Sequence, residues 1–287
     1  MLLLTCFNRV WNCLTAGLCP IAQPAEHQET TAAATPIRPP ADEIPPEANE
    51  TDIHLEGEFF IGPNGQPFGN VRGPGLVNYG ATTIDEFVKK NPGEFAGVPR
   101  SLLHVMQAVS VNEGKLEAIN TWDNSFLSFG VYQWTAGAGS DVGELAGFLD
   151  RLKGASPALF QKYFGKYGLC VEMKPPIEGR PRKGYLVLNN QRLDTSDKKE
   201  VLRKPLWAYR FWRAAHDSGV RRVQVMLAME RVALFYRLFA GNVGRQAGLR
   251  FHQLGIWCCA PSRSARQSAG PRACYGGGIW GPSVRQA

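Results

Sequence analysis

The stretch RSLLHVMQAVSVNEGKL, residues 100–116, decides how this chain is read. Leu102, Met106 and Val109 recur at steps of four and three, the spacing that puts apolar side chains on one stripe of a helix. Pro99 suits a first helical turn, because its missing N–H would have no partner there. Glu113 takes the next place on the stripe, and Gly114 after it suits a helix stop. A carboxylate is therefore expected at the C-terminal end of an apolar helix face.

Outward from this helix the pattern stays mostly helical. TTIDEFVKKNP (82–92) is a helix that Thr83 caps and Pro92 ends. SFLSFGVYQWT (125–135) mixes aromatic and β-branched residues around Gly130 and reads as a short strand or hairpin. In DVGELAGFLDRL (141–152), Val142, Leu145, Leu149 and Leu152 share a helical face. SPALFQKYFGKYG (156–168) has a Ser156 cap, Pro157 in the first turn and a glycine stop. EMKPPIEGRPRKG (172–184) is a basic loop, YLVL (185–188) a short strand and NNQ (189–191) a turn. Two further helices start at Pro205 and near Gly219; Val223, Leu227, Leu234 and Leu238 share one face of the second. The expected fold class is mainly α, a helical domain with one small β-hairpin beside the helix that ends at Glu113.

The flanks differ in composition. Residues 1–55 are an N-terminal segment and a Pro-rich linker, with PIRPPADEIPPEANE at 36–50, and are expected to be largely disordered. Residues 56–99 are an irregular lead-in packed on the domain, with the Gly- and Pro-rich 56–80 reading as irregular or short-strand structure; 100–255 is the domain itself, and 256–287 a patternless basic tail. Met1 to Ala22 is apolar, yet Arg9 and Asn12 interrupt it and no basic residue precedes it, so it is a poor signal peptide. No apolar run reaches the roughly 18 residues that a membrane span needs. Seven cysteines form no CxxC pair and the five histidines are scattered, so neither zinc nor another metal is expected. Cys170 is the single cysteine inside the domain and has no nearby partner for a disulfide.

The formal charge of +7 is unevenly spread. Residues 1–60 hold two basic and nine acidic side chains, residues 151–250 twenty-one basic and seven acidic. A basic body suits a polyanionic partner: nucleic acid, anionic lipid or an acidic wall polymer. It equally suits a plain solvated surface.

The residues that suggest chemistry are carboxylates beside aromatics. Glycoside hydrolysis takes a protonated acid at the scissile oxygen and a second carboxylate as base, nucleophile or charge stabiliser. Partial burial against apolar side chains keeps the first acid protonated near neutral pH. Glu113 fits the acid and Asp123, ten residues on in TWDNS, fits the partner; Glu117 is a weaker second candidate. Asp-Asn-Ser is also a good turn sequence. Trp122, Tyr132 and Trp134 suit either a core or a groove that stacks on pyranose faces. His216-Asp217 reads as a helix-end feature, since no serine nucleophile elbow or second histidine accompanies it.

NEGKLEAINTWDNSFLSFGVYQWT, residues 112–135, resembles the active-site segment of the lysozyme-like superfamily. In phage-type lysozymes a helix ends in Glu-Gly, an Asp follows in a hairpin about nine residues later, and a Thr comes further on. Glu113-Gly114, Asp123 and Thr135 or Ser128 match that order, with the Glu-to-Asp spacing one residue longer. Goose-type lysozymes and lytic transglycosylases carry Gly-Leu-Met-Gln after the catalytic Glu, which Gly130-Val131-Tyr132-Gln133 is similar to, with Val-Tyr in place of Leu-Met. Chitosanases of the superfamily also place a Glu at a helix end and an Asp across the cleft.

The resemblance covers about residues 100–240 and implies a lysozyme-like α+β fold. It implies an enzyme that cleaves β-1,4 linkages of an amino-sugar polymer, with Glu113 and Asp123 catalytic and Gln133, Tyr132, Trp122 and Thr135 binding substrate. No cofactor is implied. Peptidoglycan, a polyanion, suits the basic body better than chitosan, a polycation. The alternatives are a non-catalytic wall-binding protein on the same fold, or a chitosanase; a nucleic-acid binder would lack any recognisable motif. The partner expected is a polysaccharide, with no specific nucleic acid and no membrane span, and the protein is expected to be a monomer; the sequence leaves its location open, with the cell envelope favoured over other sites.

Overall fold

The structure is a computed structural model describing residues 43–246, with the side chains at 107, 109–113 and 235–246 outside that description. Readings of residues 1–42 and 247–287 therefore fall outside the described residues.

Seven short strands form one antiparallel sheet in chain order, β1 His54–Glu56, β2 Phe59–Ile61, β3 Pro67–Arg72, β4 Gly75–Asn78, β5 Ile119–Asn120, β6 Ser128–Phe129 and β7 Trp134–Thr135. Helices α1 Ile84–Lys90 and α2 Arg100–Glu113 leave the sheet after β4 and return to it at β5. Then come α3 Glu144–Ala155, α4 Pro157–Tyr163 and a small sheet of order β10-β9-β8, made of β8 Leu169–Met173, β9 Gly184–Leu188 and β10 Gln191–Arg192. Helices α5 Ser196–Lys199, α6 Pro205–Ala214 and α7 Ser218–Gln246 complete the described chain.

This corrects the expected fold class. The described part is 42% helix and 19% strand around a seven-stranded sheet, an α+β fold rather than a mainly helical one with a hairpin. Four strands arise in residues 54–78: the first two residues belong to the segment read as linker and the rest to the part read as irregular or short-strand structure, and burial along β3 and β4 does not alternate, so no period of two marks them. The sheet is completed by pairing Val77 with Asn120 and Asn78 with Ile119, partners about forty residues apart that no local pattern connects.

Several local signals act as expected. Thr83 accepts a hydrogen bond from the Glu86 N–H while the Glu86 side chain bonds back to the Thr83 N–H, a reciprocal capping box. Ser156 caps α4, with Pro157 in its first turn. Asn189 and Asn190 both take positive φ in the tight β9–β10 turn.

The core is aromatic and sits between the large sheet and the helices. Phe129 of β6 packs 5.2 Å from Phe211 of α6 and 5.3 Å from Phe148 of α3, while Phe68 of β3 meets Tyr209 edge-on at 5.0 Å. Residues 43–49, the end of the segment read as linker, lie on α6. Arg213 donates to the Pro45 carbonyl, Tyr209 donates to that of Pro46, and Glu47 pairs with Lys166 and Tyr167. The bonds from Lys166 and Tyr167 hold the Glu47 carboxyl below its ordinary pKa.

In α7 the stripe read in the sequence is only one part of the buried face: Val223 is buried and Leu227 packs against the core. Val220, Gln224, Val225 and Ala228 are fully buried and Arg221 nearly so, whereas Leu227 and Leu234 are only partly covered. The side chain of Leu238 lies outside the described residues. Two polar residues on the inward face hide the rest of it from any apolar periodicity.

Candidate active site

Helix α2 ends at Glu113, and its side chain lies outside the described residues. Met106 is fully buried and Leu102 partly so, which places two members of the expected stripe against the core. Gly114 then turns the chain at φ 149°, a conformation L side chains rarely adopt, and a Cβ there would meet the Ala118 side chain at 2.8 Å.

The loop after Glu113 is fixed from three sides. Lys115 N–H donates to the Tyr79 carbonyl and Leu116 N–H to that of Thr82. Gln224 of α7, fully buried, donates to the Leu116 carbonyl at 2.9 Å and accepts from the Val131 N–H at 3.2 Å. It thus joins the helix-end loop to the turn 130–133. Glu117 is 1% exposed and accepts from the Ala81 and Thr82 N–H groups at 2.8 and 2.9 Å and from Arg221 at 2.6 Å. Those bonds tie Glu117 into a buried ion pair, whereas Asp123 is partly exposed.

Asp123 lies in a turn. One carboxylate oxygen accepts from the Ser125 N–H and the other from the Asn120 side-chain amide, each at 2.8 Å. The Asp123 group is thus anchored in the turn yet only partly buried. Asn120, Ser128 and Thr135 are in register across β5, β6 and β7, so the pleat puts them on one face as a polar ladder. Ile119, Phe129 and Trp134 occupy the other face, all buried in the core.

Gln133 sits at φ 47° and donates to the Gly130 carbonyl at 2.9 Å. A Cβ on Gly114 would lie 3.2 Å from its Nε2, so the amide rests against the residue that follows Glu113. Tyr132, expected to touch substrate, is instead 4% exposed and stacked on Trp134. Trp122 is partly exposed, with the Arg72 guanidinium 4.4 Å above its ring. The structure thus gathers Gln133 beside the end of α2, and Asp123 and Thr135 on or beside the polar ladder, while Tyr132 goes to the core.

Arg221 and Gln224 were not legible as site supports. They lie some hundred residues from their partners, and arginine and glutamine in a helix read as solvent-facing. Lys199 is a third hidden support, 1% exposed, donating to the Gly137 and Asp141 carbonyls at 2.8 and 2.7 Å and closing the loop after β7. Desolvation pushes its pKa below that of an ordinary lysine. His216-Asp217 joins two helices: His216 Nδ1 bonds the Trp212 carbonyl, and Asp217 accepts from the Tyr163 hydroxyl and the Gly219 N–H. Burial and the Asp217 carboxylate raise the Tyr163 pKa. Among the described residues no group of three or more His, Cys, Asp and Glu converges, and no helix is long and apolar enough to cross a membrane.

Gly130 carries a measurable expectation. It adopts φ 73°, and a Cβ would fall 2.3 Å from Gln224 Oε1. Gly130→Ala should cost about 1–3 kcal/mol in urea unfolding through backbone strain alone, and more through the displaced Gln224. Unchanged stability would show that the turn does not rest on Gln224.

No protein-family profile, curated protein or solved structure matches the chain.

Proposed function

We propose that this protein is a glycoside hydrolase or lytic transglycosylase acting on the β-1,4 linkages of an amino-sugar polymer, peptidoglycan above others. Glu113 is the proton donor and Asp123 the second carboxylate. One observation carries the reading: segment 112–135 folds as a single clamped unit. In it a Glu-Gly helix end, a Gln133 amide against that glycine and an anchored, partly exposed Asp123 come from one continuous motif. Two glycines of that motif take positive φ, which accounts for their presence at 114 and 130. Gln133 and Thr135 are the polar residues placed to orient a sugar. The test is incubation with purified peptidoglycan and with N-acetylglucosamine oligomers, reading new chain ends by mass spectrometry. Cleavage that vanishes in Glu113→Gln supports the reading; binding without cleavage by the unaltered protein replaces it with a wall-binding role.

The basic stretch adds a kinetic expectation. If it draws the enzyme to an anionic wall, turnover on whole walls should fall as salt rises, because exposed charges are screened within roughly 8 Å at physiological ionic strength. Turnover on short neutral oligosaccharides should change far less. Equal salt dependence on both substrates would remove the steering role.

A further inference from the structure

Beside this site is an exposed group that the proposed chemistry leaves unused. Arg72 ends β3 opposite Gly75 in a tight hairpin. Its guanidinium lies 4.4 Å over the Trp122 ring and donates to the Tyr79 hydroxyl at 3.1 Å. Tyr79 is 66% exposed, the most exposed large apolar side chain among the described residues, and Arg72 is exposed too. Among the described residues no carboxylate pairs with Arg72, although Asp123 is the chain neighbour of Trp122. The Asp123 oxygens instead accept from Asn120 and Ser125.

A guanidinium held over an indole has lost part of its rotamer freedom before any ligand arrives, and its planar fork matches a carboxylate bidentately. Tyr79 beside it offers an open ring face of the kind that stacks on a pyranose. Both residues touch the segments that carry the proposed catalytic pair. Trp122 precedes Asp123, and the Tyr79 carbonyl accepts from Lys115, two residues after Glu113.

We propose that Arg72, held by Trp122, and Tyr79 form a subsite for a sugar unit that carries a carboxylate, Arg72 binding the acid and Tyr79 stacking on the ring. Trp122 is then a positioning residue, its upper face covered by Arg72, and not a stacking surface in its own right. The subsite's place along a glycan rests on the proposed function, but its recognition of an acid does not.

The test is calorimetric binding to the Glu113→Gln protein, which keeps all three residues. The probes are a β-1,4 tetrasaccharide of alternating N-acetylglucosamine and N-acetylmuramic acid, and the same tetrasaccharide with its carboxylates converted to methylamides. The acid form should bind about tenfold or more tightly than the amide, the scale of one charge-assisted hydrogen-bonded pair. Arg72→Met should abolish that preference without weakening binding of the amide or lowering the unfolding temperature. Arg72→Lys should recover only part of the preference, because a point charge replaces a fork, and Tyr79→Ala should weaken both ligands alike. Equal binding of acid and amide, no binding of the acid at millimolar concentration, or a preference that survives Arg72→Met would each overturn the subsite. A preserved acid preference in a protein whose unaltered form cleaves no glycan would end the proposed enzyme reading and leave the subsite standing. Cleavage without an acid preference would do the reverse.

Discussion

Glu113→Gln should lower glycan cleavage by at least about a hundredfold, the usual scale of general acid catalysis, while leaving the fold nearly untouched. Glutamine keeps the shape of the side chain and removes the proton it would deliver to the leaving oxygen. The residue closes α2, and the loop that follows is pinned by backbone bonds to Tyr79 and Thr82 and by Gln224. Asp123→Asn should also impair turnover. Asparagine can still accept the Ser125 N–H but cannot accept the Asn120 amide with its NH2, so one of the two anchors of the turn remains while the charge is lost. Initial rates of chain-end release, with circular dichroism as the folding control, decide the matter. A folded Glu113→Gln protein that cleaves at near the original rate ends the proton-donor role.

The largest effect on stability is expected at the opposite end of the same loop. Arg221 is 2% exposed and Glu117 1%, and their 2.6 Å contact joins α7 to the loop between α2 and β5. Arg221→Met would leave a buried carboxylate with the Ala81 and Thr82 N–H groups but no counter-charge. Breaking one side of such a pair costs about 3–5 kcal/mol, much of the roughly 5–15 kcal/mol that holds a typical domain together. Pairing Arg221→Met with Glu117→Leu should return part of that loss, because the uncompensated charge goes with its partner. Urea unfolding of the two single variants and the double variant measures the coupling. An Arg221→Met protein within about 1 kcal/mol of the original would show that the two N–H groups alone satisfy Glu117.

How much of this was legible varies from element to element. The caps at Thr83 and Ser156 and the turn at Asn189-Asn190 depend on side chains within four residues of the backbone they serve, and they act where the sequence places them. Residues 56–80 were legible only as irregular or short-strand structure and not as four paired strands, because each strand is stabilised by its neighbour and not by its own pattern. The polar part of the inward face of α7 was missed for the same cause. Gln224 and Arg221 face inward because the Val131 N–H, the Leu116 carbonyl and Glu117 need partners there.

By itself, then, the sequence determined the local features: the helix that ends at Glu113-Gly114, the glycines whose backbone angles only they adopt readily, and the order of Glu, Asp and Gln along one segment. Only the tertiary structure decided that a seven-stranded sheet carries that segment, that Glu117 and Tyr132 belong to the interior, and that Arg72 and Tyr79 lie beside Trp122. The physical reason is range. Caps, turns and helical stripes are settled by neighbours a few residues away. Sheet order, buried ion pairs and the company an exposed arginine keeps are settled by groups forty to a hundred residues distant, whose pairing becomes favourable only once the core has excluded water.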